Sequence, residues 1–146
     1  MSTFETILWT IADGTKSRIL NHCVENYPNE ACGILLCPRK KPQHVAKAYP
    51  TKNTAFEDPT RRYLIDPSEF LEVDNWAGKS GLDICGFYHS HPDHPPVPSD
   101  HDRNLVWESY LYLIISVKDA IFDQARAWMY DPGQKHFEEV AIQHKI

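Results

Sequence analysis

The stretch Leu82-Asp83-Ile84-Cys85-Gly86-Phe87-Tyr88-His89-Ser90-His91-Pro92 decides how the chain folds, and it leads to a second cluster, Ser99-Asp100-His101-Asp102. Residues Leu82 to His91 are apolar and then alternate, which is the pattern of a strand with a covered face. The strand runs into a proline-rich stretch, Pro92 to Pro98, and Ser99 opens a short helix. In a strand, side chains two apart share a face, about 6.6 Å apart at the backbone. His89 and His91 are therefore expected to converge on one ion, at the Zn–N distance of about 2.0–2.1 Å. The prolines stiffen a loop that turns the chain back, so that Asp102, in the first turn of the next helix, delivers a carboxylate oxygen as third ligand.

Outward from this stretch, Ile7 to Ile11 reads as a short strand, and Ala12 to Tyr27 places Ile19, Leu20, Cys23 and Val24 at helical spacing, stopped by Pro28. Ala31 to Cys37 reads as a buried strand with Val45 to Tyr49 as its neighbour, joined by a hairpin-like connection from Pro38 to Gln43. Pro50 to Pro67 is polar and turn-rich, a long surface loop in which only Tyr63 to Ile65 is suited to a short strand. Pro67-Ser68-Glu69 opens a second helix reaching about Trp76, with Gly78 as its C-cap. Leu111 to Val117, Gln124 to Tyr130 and Phe137 to Gln143 complete the strands. The expected fold is α+β and three-layered (α/β/α-like), with a mixed, curved sheet of about six or more strands flanked by two to three helices, residues 1–146 forming one domain.

Composition narrows the function. A hydrophobic fraction of 42% suits a soluble globular chain, and a formal charge of −5 argues against a phosphate-backbone binder. Arg39-Lys40-Lys41 is too short a basic run to change that, so no nucleic-acid partner is expected. No apolar run approaches the ~20 residues that span a bilayer, and Met1 to Thr10 lacks a secretory signal; the expected location is cytoplasmic, with no membrane partner. Cys23, Cys32, Cys37 and Cys85 form no CxxC pair and are expected as reduced thiols.

Three protein ligands leave a fourth position for water, the arrangement that separates a catalytic zinc from a structural one. Hydrolysis then needs a proton acceptor. Glu30 is the candidate, because it sits just after Pro28 at the start of the buried strand Ala31 to Cys37, where a carboxylate otherwise has little reason to be. Ser99 is left to donate a hydrogen bond to an oxyanion. Each feature alone has an ordinary explanation: Ser99-x-x-Asp102 fits a helix capping box, His-x-His on a strand is often incidental, and Glu30 fits a helix-exit charge. Their conjunction favours the metal site.

These residues resemble the MPN/JAMM metallopeptidases, whose motif is an upstream glutamate, then H-[ST]-H-P, then S-x-x-D. Here it stands as Glu30, His89-Ser90-His91-Pro92 and Ser99-Asp100-His101-Asp102. The resemblance implies a cytidine-deaminase-like MPN fold, one Zn2+ per chain on His89, His91 and Asp102, Glu30 as general acid/base with water on zinc as nucleophile, and Ser99 as oxyanion stabiliser. Asn53, Asp58-Pro59, Arg62-Tyr63 and Ile65-Asp66-Pro67 are similar to the loop of the small stand-alone bacterial members. That similarity implies a peptidase or isopeptidase acting at the C-terminal tail of a ubiquitin-like sulfur-carrier protein with a Gly-Gly end. The alternatives are a deubiquitinase-like isopeptidase on another substrate, a non-catalytic scaffold, and a cysteine hydrolase using Cys32.

Other candidates have plainer roles. Cys32 and Cys85 read as core, His94 and His101 stay outside the metal set, and Asp93 reads as a turn residue or as shaping the water's surroundings. Arg62 and Tyr63 suit either a substrate tail or a surface ion pair. Trp9, Trp76, Trp107 and Trp128, one per element, read as packing.

Overall fold

β-Branched and aromatic runs become strands, and they align into one curved mixed sheet with helices against both faces. The computed structural model describes residue 4 and residues 7–104, 106–144 and 146. Among the described residues the elements are β1 (Leu8–Ile11), α1 (Asp13–Asn26), β2 (Cys32–Pro38), β3 (His44–Val45), β4 (Lys47–Thr51), α2 (Pro67–Lys79), β5 (Leu82–Pro92), α3 (Asp100–Asn104), β6 (Leu111–Lys118), β7 (Ile121–Asp131) and β8 (His136–Ile142). The strand order is β3-β1-β8-β7-β6-β5-β2-β4, with β1/β3, β1/β8 and β5/β6 parallel and the other pairs antiparallel.

Alternation along β5 and its neighbours splits the apolar side chains between two cores. Ile19 and Cys23 of α1 pack with Tyr88, Leu113 and Ile115 on one face, while Val73 and Ala77 of α2 pack with Ile34, Leu36 and Phe87 on the other. Phe87, His89 and His91 share parity, so the imidazoles fall on the α2 face, and Tyr88 and Ser90 fall on the α1 face. There Tyr88 Oη bonds His22 Nδ1 at 2.7 Å, and Ser90 Oγ accepts the Ala31 N–H at 2.8 Å.

Four expectations need correction. Tyr63 to Ile65 is not a strand: the Leu64 N–H that a ladder would use goes instead to the side chain of Asn53. The second helix runs through Gly78 to Lys79, and the left-handed residue that ends it is Gly81, at φ +74°. Val45 to Tyr49 is broken at Ala46, whose N–H bonds Leu36 O, so β3 pairs with β1 and β4 with β2. Cys37 and Cys85 are disulfide-bonded rather than free. The register shift between Leu35 and Leu36 leaves Cys85 as an extra residue on β5, and its Cα comes within 5.9 Å of Cys37, inside the span a bridge needs. Cys23 and Cys32 are free and buried, as expected.

Candidate metal centre

Three donor atoms meet where β5 leaves the sheet. Nε2 of His89 and Nε2 of His91 lie 3.2 Å apart, and Asp102 Oδ2 lies 3.2 Å from the first and 3.1 Å from the second. Bonds of about 2.0–2.1 Å in a tetrahedron separate neighbouring donors by about 3.3 Å, so this triangle has the size of one tetrahedral face. All three side chains are buried. Glu30, 2% exposed, is the fourth member: its carboxylate and the two imidazoles offer donor atoms within 4.8 Å of one another.

The loop from Pro92 to Pro98 is tied down at each step. Asp93 takes φ +58°, its N–H bonds Val117 O, and its carboxylate accepts from Tyr27 Oη and the Asp119 N–H, which is the turn role. Ser116 Oγ donates to His94 O, and Trp128 Nε1 donates to Pro96 O. Pro95 O accepts from His91 Nδ1 at 2.8 Å. Because a carbonyl only accepts, that bond puts a ring proton on Nδ1 and orients the ring with Nε2 facing inward, as ligation requires.

The capping box expected as an ordinary explanation is also formed. Ser99 Oγ accepts the Asp102 N–H at 3.1 Å, and Asp102 Oδ2 accepts the Ser99 N–H at 2.9 Å. The same Oδ2 faces both imidazoles, so capping orients the carboxylate rather than competing with its convergence. Because Ser99 Oγ accepts that bond, its own hydroxyl proton remains available to the cleft.

Charge in the centre is finely balanced. Burial opposes ionisation of Asp102, but the His89 charge and hydrogen bonds from His89, His91 and the Ser99 N–H outweigh it and hold the carboxyl well below its usual range. Burial keeps His89 below its ordinary value, the state in which an imidazole offers a lone pair. Burial, and then the charges of Asp102 and Asp58, push Glu30 up to about 9. Its Oε1 is buried with no hydrogen-bond partner among the described residues. Two buried imidazoles, an anionic carboxylate and an unpartnered buried oxygen beside them fit a divalent cation.

The centre opens on a cleft of about 650 Å³ lined by Glu30, Arg61, Arg62, His94, Ser99 and His101. His94 and His101 thus sit on the rim. Arg62 pairs weakly with Glu57 at 3.9 Å, the surface ion pair of the sequence reading. Cys32 is fully buried, its Sγ 3.3 Å from Thr51 Oγ1, and burial raises its thiol to about 12, which removes it as a nucleophile. Two residues carry more than the sequence suggested. Tyr63 stacks on the His89 ring, and Asn53 braces the loop that holds it. Neither lies in a periodic element, so spacing gave no signal.

Two strand imidazoles and a helix-cap carboxylate around one point define a candidate metal centre on a mixed three-layer sheet. The family described as prokaryotic homologs of the JAB domain matches residues 13–131, and the chain belongs to that family. A desampylase of Haloferax volcanii is 38% identical over 112 residues, covering 73% of this chain and 79% of that protein. A probable TtuB-protein conjugate cleaving protease of Thermus thermophilus is 28% identical over 114 residues, covering 78% and 70%. A solved JAB1/MPN domain protein from Archaeoglobus fulgidus has a TM-score of 0.57 at 14% identity, over 93% of this chain and 100% of that one, and the fold is of this kind. No helix among the described residues is long and apolar enough to cross a membrane.

Proposed function

We propose that the chain is a zinc-dependent peptidase or isopeptidase that hydrolyses an amide at the C-terminal tail of a ubiquitin-like protein. His89, His91 and Asp102 hold the metal, Glu30 is the general acid/base, and Ser99 stabilises the oxyanion. The observation that carries this reading is the triangle of donor atoms at 3.1–3.2 Å with the unpartnered Glu30 oxygen beside it. Asp102 is the preferred third ligand because its oxygen stands at tetrahedral spacing from both imidazoles.

A zinc ion bound there supplies Lewis acidity toward water and the scissile carbonyl. With the metal bound, Glu30 would take a proton from the attacking water and pass it to the leaving amine, its unpartnered buried oxygen lying beside the donor triangle. Glu30 would be ionised more readily beside a bound cation, whose charge would oppose the effect of burial on its carboxyl. Ser99 donates its free hydroxyl proton to the developing oxyanion, a contact of about 2.7–4 kcal/mol in comparable sites.

Support for a protein-conjugate substrate comes from the relatives' names, one a desampylase and one a probable conjugate cleaving protease. The finer reading, a sulfur carrier with a Gly-Gly end, rests on the loop resemblance from Asn53 to Pro67. The test is cleavage of a purified ubiquitin-like carrier extended beyond Gly-Gly, followed by mass spectrometry. Wild type should release the extension, His89→Ala should not, and Glu30→Gln should fall by about 10²–10⁴-fold. Cleavage by wild type that chelator leaves untouched would reject the reading.

A further inference from the structure

The two imidazoles of the centre are held by different devices. His91 is oriented by the Pro95 carbonyl on its Nδ1. His89 Nδ1 is buried and meets no hydrogen-bond partner among the described residues. What lies against the His89 ring is the phenol ring of Tyr63, stacked at 4.4 Å between centroids and 21° between planes.

Tyr63 sits in a loop without a strand ladder, and Asn53 stands in for one. Its Nδ2 donates to Glu30 O at 3.0 Å and to Arg62 O at 2.9 Å; its Oδ1 accepts from the N–H groups of Ala55 at 3.0 Å and Leu64 at 3.1 Å. The amide uses its full bonding capacity, and two of the four bonds go to the residues on either side of Tyr63. The same loop grips Glu30 again, through the Glu30 N–H to Pro59 O at 2.8 Å.

We propose that Tyr63 is a positioning residue of the metal centre: its ring, braced by Asn53, fixes the plane of the His89 imidazole so that Nε2 faces the ion. The stack does for His89 what a carbonyl does for His91. It is the ring face that acts, since the phenol hydroxyl makes no hydrogen bond among the described residues. This inference rests on the metal-binding reading above. The competing role is that Tyr63 merely walls the apolar groove of about 510 Å³ formed with Leu64, Phe70, Leu71 and Trp107.

Chelator competition for zinc and the visible spectrum of the cobalt-substituted protein, both without substrate, separate the two roles. Tyr63→Phe keeps the ring and should match wild type in affinity and spectrum. Tyr63→Leu keeps apolar bulk in the groove but loses the stack, and should bind zinc about 3- to 10-fold more weakly with a shifted cobalt band. Tyr63→Leu with wild-type affinity and spectrum overturns the inference, and so does a Tyr63→Phe chain as weak as the leucine variant. Should Tyr63→Leu not fold, contacts between the Tyr63 and His89 ring protons in the NMR spectrum of the zinc-loaded wild type decide, and their absence overturns it. His91→Ala isolates the parent reading: if it binds zinc as tightly as wild type, or wild type binds none, the metal centre itself fails and not the role of Tyr63.

Discussion

Glu30 and Asp102 are carboxylates in one buried site with opposite titrations, and each gives a separate test. The Glu30 carboxyl is raised from 4.5 to about 9 by burial first and neighbouring charge second. Below pH 4.5 folded and unfolded chains both hold that proton; above it the unfolded chain releases it first, so this group subtracts stability from the metal-free protein as pH rises toward 9. Metal-free Glu30→Gln should therefore be more stable than wild type at pH 8 by at least about 1 kcal/mol, with the gap closing toward pH 5, as read by urea denaturation at both values. A gap independent of pH would contradict the burial of an ionisable carboxyl there. Asp102 is depressed, so its contribution is present above its ordinary value of 3.8 and lost as pH falls through its lower folded value. Asp102→Asn keeps an oxygen for the Ser99 N–H and so preserves the cap. Without metal it should be less stable than wild type at pH 7, where the ionised carboxylate contributes, with the gap narrowing as pH falls below 3.8 in urea denaturation. Its zinc affinity should drop at least tenfold, whereas equal affinity would leave Asp102 a capping residue only.

The β6–β7 hairpin shows how far elements can be tuned without touching the site. Asp119 and Ala120 both take positive φ, 50° and 65°, the pattern of a type I′ turn, and alanine is strained there. Ala120→Gly should raise stability by about 0.5–1 kcal/mol, seen as a higher midpoint in thermal unfolding with zinc affinity unchanged; a lower midpoint would mean the turn is not strained. Elements of this kind were legible where periodicity carries them. The site strand, α1 and the order of helices and strands follow from apolar spacing; His89, His91 and Asp102, spaced to converge, lie together with Glu30 and Ser99 beside them. The Tyr63 stack, the Asn53 brace and the Cys37–Cys85 pair were not legible, because each joins residues through an irregular loop or a bulge. A local pattern encodes neither the path of such a loop nor the one-residue register shift that brings Cys85 to Cys37. Gly78 misled because a glycine near a helix end resembles a cap, yet only Gly81 needs the left-handed backbone.

At the scale of the molecule, two apolar cores clamp the sheet from both sides, and β5 runs between them before its last residues enter the cleft. The imidazoles are thus anchored in a strand paired on both edges and packed on both faces, while Tyr63, Glu30 and Asp102 arrive from a loop, a strand approach and a short helix. Preorganisation of this sort predicts that the metal joins a site already shaped. Zinc stoichiometry of the wild-type chain beside Asp102→Ala, by equilibrium dialysis and elemental mass spectrometry, tests that claim most directly. The account predicts one zinc per wild-type chain and a large loss in the variant; a wild-type chain that takes up no zinc, or an alanine variant that retains a full equivalent, would contradict it.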